Sequence, residues 1–368
     1  MSSFEIREAQ DSDNRSLIDL AMACPMQGDV GLCVDRSPDF FQLNRLEGHR
    51  WKVNVAERKG EVIGCVGAAE RRVYLNGRPV QAVYAGDLKV HPAHRDHSVA
   101  DALMGAAVAG CESIGGADVP TYGTILAGNA PAERIVSGVR GLPKFDRIAT
   151  INSASLGLLW KRSPGSPGLE VREAKADDLE EMLALWQRVA PERQLAPAHD
   201  LESLRRWIED SPRLGYSSYR LAFDWTGHLA GFAGFWDQDC FKHMRVMHYS
   251  RRLTAFRFFY NLFAPLIGAV KLPPPGGVLR YLTVVNPCVP SSRPDVLRAI
   301  LLAAYNELRG RDYAFITIGL DVKDPLTAAL KGLMTQPMLV NGYISSPSGA
   351  YRGPALDQRP LHFEIALV

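Results

Sequence analysis

At 368 residues the chain exceeds what one ordinary hydrophobic core organises, so two domains are expected. Its 42 Lys and Arg nearly balance 40 Asp and Glu, and neither end carries a charged tail, which excludes the basic footprint of a nucleic-acid binder. Cys24, Cys33, Cys65, Cys111, Cys240 and Cys288 are scattered without CxxC spacing and read as reduced thiols. The opening MSSFEIREAQDSDNRS has no basic stretch followed by an apolar one, so no signal peptide and a cytoplasmic location are expected.

Phe4 to Ala9 reads as a first strand, followed by a helix with Leu17, Ile18, Leu20 and Ala21 on one face. A glycine-punctuated loop, Met26 to Gly31, precedes Arg36-Ser37-Pro38-Asp39-Phe40-Phe41, and Val53 to Gly67 forms a hairpin turning at Arg58-Lys59-Gly60. Val83 to Val90 is mostly apolar and small, and Pro92 cannot donate to a ladder, so a buried strand is expected to stop at His91. Val99, Leu103, Ala106, Ala107, Gly110 and Ile114 then recur at helical spacing, with Gly115-Gly116 as the stop. The polar turn between them, Ala93 to Ser98, delivers the free N–H groups of a helix start to the end of a strand, a geometry that binds phosphate. His91, His94 and His97 are three apart, but Pro92 breaks any helix through them and no Cys or carboxylate completes the set, so no metal is expected.

The chain repeats itself. Phe4-Glu5-Ile6-Arg7-Glu8-Ala9 returns as Leu169-Glu170-Val171-Arg172-Glu173-Ala174, with Asp13 answered by Asp178, and the hairpin Val53 to Gly67 returns as Arg220 to Gly234. A third match pairs Val90-His91-Pro92 with Val285-Asn286-Pro287, which places an insertion of about one helix within residues 240–277. The expected units are residues 1–158 and 169–368, joined by a Pro- and Gly-rich linker over 159–168. In the second unit Pro290, Arg293 and Asp295 replace the phosphate chemistry of the first, so that unit reads as structural or substrate-shaping, with an anion site assisted by Arg293 as the alternative. Within the insertion, Leu253 to Leu272 is apolar but interrupted by Arg257, Asn261 and Pro265, so it is not expected to span a membrane. It reads as a helix packed over the second unit, or at a dimer or acyl-chain site. Leu361 to Val368 alternates like a last strand.

The run Val90-His91-Pro92, then Arg95-Asp96-His97-Ser98-Val99-Ala100, resembles the GNAT superfamily of N-acyltransferases. There a strand ending in Val-x-Pro leads into Arg or Gln, two residues, Gly, one residue and Gly or Ala. This sequence matches at Arg95 and Ala100 and departs at Ser98, where the family prefers Gly. The resemblance implies an α/β fold of the α+β mixed-sheet kind, in two tandem GNAT-like domains. It further implies acetyl-CoA or another acyl-CoA held by Leu88, Lys89, Val90, Arg95, Asp96, His97, Ser98, Val99 and Ala100, with Asn129 bonding the pantetheine arm or capping a helix.

Acyl transfer to an amine needs a base, a carbonyl-polarising donor and an acid for the leaving thiolate. The resemblance places the donor in the backbone of Leu88 to Val90. Glu70 and Asp87 are the candidate bases, or else partners of Arg71, Arg72 and Lys89. Val136 stands where the family's acidic Tyr is usual, which leaves Tyr122 or Tyr84 to substitute. Some tandem GNAT proteins use the terminal carboxylate as base, which makes Val368 a further candidate. The implied partner is a small-molecule or protein amine, with a homodimer also carried as an expectation, and with no nucleic acid and no transmembrane segment. A non-catalytic module that binds acyl-CoA or another ligand is the alternative; aminoacyl transfer from tRNA is disfavoured by the near-neutral charge.

Overall fold

The computed structural model describes residues 4–95, 97–138, 141–163 and 168–368, residue 97 by its backbone alone. The first repeat runs β1 (Glu5–Glu8), α1 (Asn14–Ala23), β2 (Val30–Asp35), α2 (Gln42–Glu47), β3 (Trp51–Arg58), β4 (Glu61–Leu75), β5 (Arg78–Val90), α3 (His97–Gly115), β6 (Thr121–Leu126), α4 (Ala130–Ile135) and β7 (Asp146–Gly157). The second runs β8 (Glu170–Glu173), α5 (Leu179–Val189), α6 (Leu201–Asp210), β9 (Tyr219–Phe223), β10 (Leu229–Trp236), β11 (His243–Tyr249), α7 (Arg251–Phe263), β12 (Tyr281–Cys288), α8 (Pro294–Leu308), β13 (Phe315–Asp321) and β14 (Thr335–Ser345). The two repeats share one mixed sheet of 12 strands, ordered β1-β3-β4-β5-β6-β14-β7-β13-β12-β10-β9-β8. They exchange strands at the middle: β14 lies antiparallel between β6 and β7, and β7 pairs antiparallel with β13.

The duplication is visible atom by atom. Arg7 donates through both terminal nitrogens to Asp13, at 2.7 and 2.8 Å, and Arg172 does the same to Asp178, at 2.8 and 2.7 Å. In each copy the aspartate also accepts from a backbone N–H three residues upstream, which fixes the entry into the first helix. The hairpins β3–β4 and β4–β5 turn at Lys59-Gly60 and Asn76-Gly77, all four residues with positive φ, the turn that matches the twist of paired strands.

Helix α3 buries Val99, Leu103, Ala107, Cys111 and Ile114 and packs against β4 and β5. Gly64 makes that approach possible, because a Cβ there would sit 2.8 Å from Leu103 Cδ1 and 2.9 Å from the Lys89 carbonyl oxygen. In the second repeat α8 opens on Pro294 and buries Val296, Leu297, Ile300, Leu301, Ala304 and Tyr305 at helical spacing.

Three expectations are corrected. The third repeat match is out of register: β5 bulges at Asp87 opposite Val66, and β12 bulges at Asn286 opposite Ala233, both Asp87 and Asn286 having positive φ. Asp87 therefore corresponds to Asn286, and Val90 to Val289 rather than Val285. The insertion holds a strand as well as a helix, since β11 leaves the main sheet and pairs antiparallel with β2 of the first repeat. Leu361 to Leu367 do not form a strand; every residue there is buried, Ile365–Leu367 close in a 3-10 turn, and the backbone is satisfied partly by other backbone groups and partly by side chains. The Leu361 N–H donates to Asp321 Oδ2 at 2.9 Å, and the Ala366 carbonyl accepts from Gln238 Nε2 at 2.9 Å.

Replacing Gly64 by Ala pushes a methyl into the α3–β4 contact and is expected to cost about 1–3 kcal/mol. Urea unfolding is expected to show a lower midpoint with an unchanged slope.

Candidate functional site

Strands β5 and β6 run parallel but share a ladder only at Val83–Thr121 and Tyr84–Tyr122. Beyond Tyr84, β5 stays paired with β4 alone, so its other edge, over Leu88, Lys89 and Val90, faces the opening between the splayed strands. At the end of β5 comes the turn into α3. Arg95 is exposed there and donates from Nε to the Val90 carbonyl at 3.2 Å. The first turn of α3 contains His97, exposed Ser98, buried Val99 and half-buried Ala100; Asp96 lies outside the described residues. Asn129 caps α4, accepting from the Ala132 N–H at 3.4 Å, and Val136 closes that helix.

The second repeat uses the same elements differently. The β12–β13 ladder ends at Thr283–Thr317, and beyond it the chain's own tail lies against both strands. Glu364 Oε2 accepts from the N–H of the bulged Asn286 at 3.1 Å, and Phe363 and Ile365 pack on Gly319. Arg293 is held by Asp295, with Nη2–Oδ2 at 2.7 Å and Nε–Oδ1 at 2.9 Å, so its charge is already satisfied.

A cavity of about 640 Å³ is lined by both repeats and the tail. Glu70, Tyr122 and Val368 all line it, so three of the four catalytic candidates come together. Asp87 is not among its lining residues. It is clamped instead by Arg36, which is 2% exposed, and by Lys89 Nζ at 2.5 Å. Burial would raise the Asp87 carboxyl, but these two cations overcome it and hold the group well below the usual carboxylate range. Such a carboxylate is a poor proton acceptor.

A residue that the motifs did not single out is Glu47, at the end of α2, which also lines the cavity. Its side chain is 8% exposed, and Oε1 accepts from Arg71 Nη2 at 3.3 Å. Burial pushes its carboxyl up to about 7, against the pull of Arg71 and with the help of the Asp87 charge. Gly48 sets it there: a Cβ on that residue would lie 2.0 Å from the Glu70 carbonyl oxygen, so a glycine lets the chain leaving α2 pass against β4. The available signal was an acidic residue in the last turn of a helix, where the macrodipole opposes it.

Arg71 lies over the Tyr84 ring at 4.6 Å, and the rings of Tyr84 and Tyr122 meet edge-on at 5.4 Å. Burial raises the Tyr122 phenol above its ordinary value, opposed by Arg71, so it stays protonated at neutral pH. Glu70 accepts from Gln81 Nε2 on the same wall. His199 is pushed down to about 4 by burial and by the neighbouring His362. The tail is latched by buried Lys242, whose Nζ donates to the Ala366 carbonyl at 3.1 Å and to the Val368 oxygen. Among the described residues no group of three or more His, Cys, Asp or Glu is arranged to hold a metal ion, and no helix is long and apolar enough to cross a membrane.

Residues 5–118 match the sequence profile of the Acetyltransferase (GNAT) domain. No curated protein sequence matches the chain. Among solved structures it is similar to a GCN5-related N-acetyltransferase from Sphaerobacter thermophilus, at 14% identity, a TM-score of 0.61, and coverage of 97% of this chain and 98% of that one. It is similar to Saccharomyces cerevisiae N-myristoyltransferase with bound myristoyl-CoA, at 12% identity, a TM-score of 0.61, and coverage of 98% and 88%. A tandem GNAT protein from the clavulanic acid biosynthesis pathway gives 14% identity, a TM-score of 0.58, and coverage of 96% and 100%.

Because the folded Glu47 carboxyl holds its proton up to about pH 7 while an unfolded one releases it near 4.5, stability is expected to fall as pH rises across that window. The loss reaches about 3 kcal/mol at most. Urea midpoints at the two ends of the window are expected to converge in Glu47→Gln.

Proposed function

We propose that the chain is a tandem GNAT protein and an N-acyltransferase moving an acyl group, acetyl first among candidates, from acyl-CoA to an amine, a reading supported by the GNAT domain match over residues 5–118 and by the fold it shares with a tandem GNAT protein. The observation that carries the reading is a buried carboxyl, Glu47, titrating near neutrality on one cavity wall with a protonated phenol, Tyr122. In this assignment the acyl-CoA substrate enters the opening between β5 and β6, with its pyrophosphate at the turn from Arg95 to Ala100. The free backbone edge over Leu88 to Val90 polarises the thioester carbonyl. Glu47 takes the proton of the acceptor ammonium. The amine nitrogen then bonds to the carbonyl carbon, the C–S bond breaks, the thiolate takes the Tyr122 proton, and the second proton that the new amide nitrogen sheds returns to the Tyr122 phenolate.

Asp87, held ionised between Arg36 and Lys89, is assigned to fixing the bulge rather than to proton transfer. Glu70 and Val368 are assigned to the acceptor wall, where Gln81 and Lys242 each hold one of their oxygens in place. The cytoplasm is the proposed compartment. A second reading, a module that binds acyl-CoA without turnover, is favoured by Val136 alone, which ends α4 where a hydroxyl is usual.

Calorimetric titration with acetyl-CoA and longer acyl-CoAs tests the donor half: binding is expected, weakened at least about tenfold by Arg95→Glu and unaffected by Arg293→Glu. No binding of any acyl-CoA would overturn the reading. In a thiol-release assay over a panel of amines, kcat/KM is expected to rise with pH through an inflection near 7. Glu47→Gln is expected to abolish that limb and lower the rate by about 10²-fold or more, and Tyr122→Phe to lower kcat with little change in KM. Tight acyl-CoA binding with no thiol release from any amine would favour the binding module.

A further inference from the structure

Helix α7 is built inside out. Leu253, Arg257, Tyr260, Asn261 and Ala264 face the protein, and polar ones among them are used: Asn261 exchanges two hydrogen bonds with the Leu272 backbone at 2.8 and 2.9 Å, and Tyr260 donates to the Val270 carbonyl at 3.2 Å. The opposite face is apolar and open to water. Phe256, Phe258, Phe259, Leu262 and Phe263 are each more than half exposed, and Leu266 in the turn that follows is 81% exposed. A contiguous patch of this kind marks an interaction surface.

Its charge says what kind. From Arg251 to Gly277 there are four cations, Arg251, Arg252, Arg257 and Lys271, and no Asp or Glu. Arg251 and Arg252 are exposed where the helix begins, and Lys271 is exposed on the returning segment that Asn261 holds. Arg309 then ties in a second cluster. It donates to the Ile267 carbonyl at 3.3 Å and to the Leu159 carbonyl at 3.2 Å, which brings half-exposed Trp160 with Lys161 and Arg162 beside the end of the patch. Phenylalanines flanked by cations, with a tryptophan at the margin, are what a helix needs to lie in the plane of an anionic bilayer surface. A second copy of the same face would bring a segment without carboxylates against itself.

We propose that α7 and the turn after it dock the protein onto anionic lipid membranes, lying in the headgroup region without spanning it. The Phe258, Phe259 and Leu262 side chains enter the acyl boundary, and Arg251, Arg252 and Lys271 pair with lipid phosphates. The β11–β2 pairing then fixes the orientation of the first repeat relative to the bilayer.

The test is co-sedimentation of the full chain with vesicles of phosphatidylcholine alone and of phosphatidylcholine mixed with phosphatidylglycerol. Binding is expected to the mixed vesicles, at least about tenfold stronger than to the neutral ones and falling as salt rises. Phe258→Ser/Phe259→Ser/Leu262→Ser and, separately, Arg251→Glu/Arg252→Glu are each expected to reduce it at least about tenfold. These side chains face solvent, so an unchanged melting temperature is expected and guards against misfolding. No binding to either vesicle, or binding that the triple substitution leaves intact, would overturn the proposal. A dimer in sedimentation equilibrium that the triple substitution splits, without vesicle binding, would overturn it too and assign the face to a second copy.

Discussion

Asp87 sits at a bulge, in a left-handed backbone conformation that a non-glycine residue adopts at some cost, with its half-buried carboxylate clamped between two cations. It stays ionised there because Arg36 and Lys89 stay with it. A charge cluster of this sort contributes little net stability but is expensive to break, so it works as a geometric pin. Arg36 follows β2, β2 pairs with β11 of the second repeat, and Arg245 on β11 donates to Asp35 at 2.8 Å. One clamped carboxylate thus joins the splayed edge of β5 to the insertion of the other repeat, and its field reaches Glu47 and Lys242 as well.

What the sequence made legible was local. The Arg7–Asp13 and Arg172–Asp178 pairs, the Lys59-Gly60 hairpin and the α3 core face are all set by residues within a few positions of one another. The slip of the third repeat match has a physical cause: Val-x-Pro recurs by chance, whereas what the two copies share is the bulge, at Asp87 and at Asn286, which has no common residue type. Glu47 escaped notice because its chemistry comes from burial beside Arg71, β4 and the tail, and burial by distant segments leaves no trace in spacing. The tail escaped for the same reason, since apolar alternation over Leu361 to Leu367 fits a segment enclosed on all sides as well as a strand.

The two repeats divide one architecture. Each has a parallel pair of central strands that separates just before a bulge. In the first the gap is open along β5; in the second it holds Phe363, Glu364 and Ile365, with Glu364 satisfying the N–H of the bulged residue. The second repeat therefore uses its cleft to anchor the tail, and the tail with His199, Trp207 and Asn286 walls the cavity that opens against the first.

Strand exchange at the centre of the sheet sets the order of events during synthesis. Strand β14 fills the space between β6 and β7, and β7 has its other partner in β13. A ribosome that has released only the first repeat has made a chain whose β6 lacks one neighbour and whose β7 lacks both. Contacts such as Asn341 with Glu133, 208 residues apart in the chain, close last and slowly. Until β14 emerges the half-made sheet carries exposed edges, the state most open to mispairing with another chain and most in need of a chaperone.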